Sequence, residues 1–162
     1  MVSARAVAPS NIERRLTDLG IELSAPPTPF GNYVEVLRSG NLLFLSGMLP
    51  VVDHKPKYLG RLGKELDAAQ GQDAARTAGL SALAALKAYL GTLDRVRRIV
   101  RIGVMMTASD DFVDQPKVAD GASDLFRDVF GSDGISPRLV IGVASLPLGL
   151  PVELEVIAEV KK

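Results

Sequence analysis

The stretch Ser136-Pro137-Arg138-Leu139-Val140-Ile141-Gly142-Val143-Ala144-Ser145-Leu146-Pro147, followed by Val152-Glu153-Leu154-Glu155-Val156, is the most informative part of this 162-residue chain. Successive side chains of a strand point to opposite faces. Leu139, Ile141 and Val143 are therefore predicted to form a bulky core face, with Arg138, Val140, Gly142 and Ala144 on the other side, where small residues leave room for a ligand. An arginine fork in such a place binds a carboxylate through two bonds, where a lysine acts only as a point charge; it also reads simply as a solvated edge residue. On the second strand Val152, Leu154, Val156 and Ala158 face one way and Glu153, Glu155 and Glu159 the other. That alternation suits a solvated face, and equally one carboxylate turned into a cleft, where it can hold or deprotonate water.

Working outward, Val118–Phe130 has helical spacing through Val118, Ala122, Leu125, Phe126 and Val129, and Ile99–Met106 reads as a buried strand. Asp67–Leu90 is the longest helical segment. Leu83, Leu86 and Leu90 form one stripe, and Ala75, Ala78, Ala82, Ala85 and Tyr89 a second; so wide a face of small residues suits a helix lying close on a sheet. Gly91 is its stop. Tyr33–Leu37 and Leu42–Leu45 flank the turn residues Ser39-Gly40-Asn41 as a hairpin. A further strand near Lys57–Leu62 is optional, and His54 sits in a polar turn. Asn11–Leu19 reads as a short helix, with a Ser10/Glu13 capping box and Gly20 as its stop, before the Pro-rich run Ala25–Pro29. The expectation is an α+β domain at 29–162 with order β-β-(β)-α-β-α-β-β, preceded by a helical appendage at 1–28.

Composition excludes much. The chain has no Cys and one His, which removes thiol nucleophiles, disulfides and thiolate metal sites and leaves His54 as the only imidazole for a triad. No metal site is expected. Nineteen basic residues balance nineteen acidic ones, so no overall positive field gathers nucleic acid or anionic lipid. No apolar run spans a bilayer and the start lacks a secretory pattern, so a cytoplasmic protein with no membrane partner is expected. Arg95, Arg97, Arg98 and Arg101 lack interleaved aromatics and read as a solvated patch rather than an RNA contact. The aspartates from Asp110 to Asp128 match no calcium loop.

The ordered motifs Pro29-Phe30-Gly31-Asn32-Tyr33, Gly40-Asn41-Leu42-Leu43-Phe44-Leu45-Ser46-Gly47, Pro137-Arg138, Ala144-Ser145-Leu146-Pro147 and Val152-Glu153-Leu154-Glu155 resemble those of the RidA/YjgF family, also labelled endoribonuclease L-PSP. The resemblance runs from Pro29 to Val160. It implies a chorismate-mutase-like mixed sheet with two helices packed on one face, assembled as a homotrimer with ligand clefts between subunits. It further implies cofactor-free hydrolysis of 2-imino and 2-enamino acids to 2-keto acids and ammonia. Arg138 would be the carboxylate anchor and Glu153 would position the water, with Tyr33 and Ser46 lining the pocket. Two positions depart from the pattern: Val140 stands where many members have Cys, and Asp120 falls near the family's pocket Asn. The alternatives are a trimeric, non-catalytic module that binds a small carboxylate and, more remotely, an endoribonuclease.

Overall fold

The computed structural model describes residues 11–162. Its sheet is built from β1 (Val36–Ser39), β2 (Leu42–Leu45), β5 (Val96–Met106), β6 (Arg138–Gly142) and β7 (Val152–Val160), in the order β1-β2-β7-β5-β6. All neighbours pair antiparallel except β5 and β6, which are parallel. The two-residue strands β3 (Val51–Val52) and β4 (Lys55–Pro56) form a separate ribbon. The helices are α1 (Ile12–Asp18), α2 (Ala68–Leu90) and α3 (Gln115–Phe130).

One sheet face carries the core. Leu43, Leu45, Ile102, Val104, Met106, Val152, Leu154, Val156 and Ala158 are buried with Ala74, Ala75, Ala78 and Ala82 of α2 and Ala122, Leu125, Phe126 and Val129 of α3. The alanines keep α2 thin on this side, and glycines let α3 come closer still. A Cβ on Gly121 would lie 1.9 Å from the Gln72 carbonyl oxygen. Asp67 and Gln70 close a capping box at the start of α2, and Gly91 ends it in the left-handed region at φ 82°. Tyr89 falls outside the predicted stripe, half exposed at 48%.

The element order matches the sequence expectation, and three local details differ. The N-cap of α1 is Asn11, whose side chain accepts from the Arg14 amide; Ser10 lies outside the described residues. Ile12 and Leu16 carry α1 into the main core, and Asp94 caps its first turn by accepting from the Ile12 and Glu13 amides. β1 begins at Val36 rather than Tyr33, because Tyr33 folds back on its own loop, its amide donating to the Gly31 carbonyl. The additional ribbon lies at 51–56, with Asp53 and His54 at positive φ in its turn, while Leu62 makes only isolated bridges.

The face assignment of β6 is the substantive correction. Arg138 pairs with Ile102 and Val140 with Val104, both buried under the helices, so Arg138 and Val140 point to the helix side and Val140 packs on the core. Leu139 and Ile141 lie on the open side, 48% and 41% exposed. On an edge strand the register set by the parallel neighbour decides the face, and side-chain bulk does not.

Candidate functional site

Glu153 lies one strand in from the hairpin, opposite Met105 of β5 and on the face away from the helices. It opens on a cleft of about 460 Å³ lined by Phe30, Tyr33, Ser46, Gly47, Leu49, Pro147, Leu148 and Glu153 itself. The segment 46–49 forms the floor because Met48 exchanges backbone hydrogen bonds with Leu154, 2.8 and 2.9 Å. That pairing brings Gly47 against the Glu153 side chain. The Ser46 hydroxyl donates to the Val34 carbonyl at 2.7 Å, and the Tyr33 hydroxyl accepts from the Phe30 amide at 2.9 Å. Both side chains are thereby fixed as walls.

Burial alone pushes the Glu153 carboxyl above its ordinary range, and no described cation pairs with it. Half-desolvated and unneutralised, it is a better proton acceptor near neutral pH than an ordinary surface glutamate. Gly47 is what admits it, since a Cβ there would stand 1.8 Å from Glu153 Oε1. Gly47→Ala should therefore swing the carboxylate out of the cleft at little cost to the fold, because the far end of a flexible side chain can move. A fall in turnover of at least about 100-fold with a melting temperature near that of the parent is the expected result, read by kinetics beside calorimetry.

Glu35 was not singled out from the sequence. It lines a narrow hollow that shares Phe30, Tyr33, Gly47 and Leu49 with the cleft and also includes His54. Burial raises this carboxyl as well. Its position two residues after Tyr33 was the available signal, hidden by the usual expectation that a strand glutamate is solvated.

Arg138, Asp120 and Val140 sit elsewhere. Arg138 Nη1 donates to Asp120 Oδ1 at 2.7 Å and to the Ser123 hydroxyl at 3.1 Å, and Nη2 donates to the Pro116 carbonyl at 3.2 Å. The chain thus gathers Tyr33, Ser46 and Glu153 in one cleft and Arg138, Asp120 and Val140 under α3, on opposite faces of the sheet. Arg138 stands level with Ile102 and Glu153 with Met105, with β5 between their strands. Strand spacing and rise put their backbones on the order of 14 Å apart. A single chain does not close both groups around one small molecule.

The arginines of β5 and the last acids of α3 are paired locally. Arg97 and Arg98 reach Glu159, Arg98 also reaches Asp133, and Arg101 reaches Glu155, while Asp124 and Asp128 hold Arg127. A cleft of about 580 Å³ between α1 and α2 includes Glu13, but that carboxylate is taken up by Lys87, Thr92 and the Leu93 amide. Among the described residues no group of three or more His, Asp or Glu could hold a metal ion, and no helix is long and apolar enough to cross a membrane.

Residues 13–160 match the model of the family described as "YjgF/chorismate mutase-like, putative endoribonuclease". The chain belongs to this family. One relative, protein TCP17 of Trypanosoma cruzi, is 42% identical over 154 residues, covering 94% of this chain and 96% of its own. A crystal structure of Atu1372 from Agrobacterium tumefaciens, of unknown function, superposes with a TM-score of 0.86 at 38% identity, covering 93% and 92% of the two chains. Another, from Shewanella oneidensis and carrying the same endoribonuclease description, gives 0.90 at 32% identity, covering 93% and 100%. Membership of the YjgF family supports small-molecule deamination or a related activity at the level of the family.

Proposed function

We propose that this protein hydrolyses reactive imines and enamines to a carbonyl compound and ammonia, without a cofactor, in a cleft that a second copy of the chain completes. The observation that carries the reading is Glu153: a half-buried carboxylate, with no cation paired to it among the described residues, in a cleft walled by Tyr33, Ser46 and Gly47. An imine carbon is already electrophilic, so the protein has only to orient it and aim one water. Glu153 takes a proton from that water as its oxygen bonds to the carbon. The nitrogen is then protonated, the C–N bond breaks, and the overall change is R₂C=NH₂⁺ + H₂O → R₂C=O + NH₄⁺.

Two features support assembly, which we propose is a homotrimer. Arg138 and Glu153 lie on opposite faces, so only a neighbour's Arg138 can approach this chain's Glu153. The face that the helices leave uncovered carries Leu37, Phe44, Leu139 and Ile141, 60%, 39%, 48% and 41% exposed, apolar side chains that a neighbouring subunit would take out of water. Light scattering at several concentrations should give a stable trimer. Ile141→Asp should dissociate it and abolish turnover together; a parent protein that is monomeric throughout would contradict this assembly.

The reaction is tested by supplying an oxidase-generated imine and following ammonia release. Acceleration that depends on Glu153 is expected. Stabilisation by small ligands without turnover would instead leave a binding module. The endoribonuclease reading has less support, since Arg97, Arg98 and Arg101 are engaged by carboxylates.

A further inference from the structure

The charges around the cleft are unusual for one that should receive an anion. Among the described residues neither the cleft nor the hollow adjoining it is lined by a lysine or arginine, yet each presents a carboxylate, Glu153 in the first and Glu35, near His54, in the second. Phe30 and Tyr33 line both, so aromatic rings stand beside the two acids. The one arginine that the family resemblance offers as an anchor is already engaged. Asp120 meets its charge at 2.7 Å, and Ser123 and the Pro116 carbonyl take two more of its N–H groups. Three of five donors are thus bound within the chain.

An incoming α-carboxylate would have to displace Asp120 from Arg138, leaving that aspartate uncompensated, while approaching two further negative groups. A substrate that carries its charge on nitrogen meets none of these penalties. Carboxylates and aromatic faces both attract an iminium or ammonium group.

We propose that the preferred substrates are imines derived from simple amines, cationic or neutral and without a carboxylate beside the reacting carbon, rather than imines of α-amino acids. This rests on the imine-hydrolase reading. Asp120 acts here as a specificity residue, holding the arginine shut, and Glu35 as a second counter-charge for the nitrogen.

The test has a binding arm and a turnover arm, both on the full-length protein. In the first, butylamine and 2-oxobutanoate are titrated separately and binding is read by calorimetry. In the second, imines are generated by an amine oxidase from butylamine and by an amino-acid oxidase from 2-aminobutanoate, and their loss is read by competition with semicarbazide. Butylamine should bind at least about tenfold tighter than 2-oxobutanoate, and the amine-derived imine should be hydrolysed at least about tenfold more efficiently. Asp120→Asn should free Arg138 and narrow both gaps by about tenfold; Glu35→Gln should weaken butylamine alone, by about three- to tenfold. Tighter binding of 2-oxobutanoate, faster loss of the amino-acid imine, or binding of neither probe would overturn the substrate class. Butylamine binding with no turnover of either imine would uphold the class and overturn the hydrolase reading.

Discussion

Glu153→Gln should abolish imine hydrolysis, by a factor of about 10²–10⁴, and at the same time raise the melting temperature by roughly 2–4 °C. The amide keeps the shape of the side chain but cannot take a proton from water. The stability gain follows from burial without a partner, which makes the charged form costly in the folded protein. Because the folded carboxyl titrates above its ordinary range, the native state binds more protons than the unfolded state in the window between the two values. Stability from this group is full below the unfolded value and is lost as pH rises through the folded one. Turnover runs the other way. It needs the ionised form, so the acid limb of the rate profile should lie above the usual carboxylate range, and the variant should lose that limb. Calorimetry and a pH–rate profile on both proteins decide it; a variant less stable than the parent would show that Glu153 is a structural partner rather than a strained functional group.

Gly121→Ala should destabilise the fold by about 3 kcal/mol or more, the upper end of overpacking effects, and lower the melting temperature by roughly 6–12 °C. In an exposed helix the same change is worth up to about 1 kcal/mol in favour of alanine, so the sign itself is diagnostic. The added Cβ would stand 1.9 Å from the Gln72 carbonyl and 3.1 Å from the Arg76 amide nitrogen, both backbone atoms of α2 that cannot step aside singly. Gly79→Ala is the comparison. Its Cβ would meet Leu125 Cδ2 at 2.8 Å, the end of a side chain that can rotate, so a smaller loss is expected. Equal melting temperatures for the two variants would mean that α2 and α3 are not held as closely as the structure has them.

The sequence told most about what alternates or repeats. The last strand reads correctly along its whole length because Val152, Leu154, Val156 and Ala158 face a core on one side only. The long helix reads from Asp67 to Gly91 because its cap, its alanine stripe and its stop are all local signals. β6 misleads because its bulkier residues, Leu139 and Ile141, sit on the uncovered face, and the register with β5 that turns them there is not a local property. Glu35 and the Arg138–Asp120 pair escape sequence reading for a related reason. Both depend on which loop or helix folds over a strand end, and nothing in the spacing of Asp120 and Arg138 says that α3 delivers the acid to the arginine.

The central claim is that Glu153 activates water against a C=N bond. The most direct measurement is the initial rate of semicarbazone formation from an oxidase-generated imine, which forms it faster than its carbonyl product does, in the presence of increasing amounts of this protein. The rate should fall as the protein is raised and should be restored by Glu153→Gln at equal fold and assembly. A rate that stays flat as the protein is raised, with both amine-derived and amino-acid-derived imines, would contradict it.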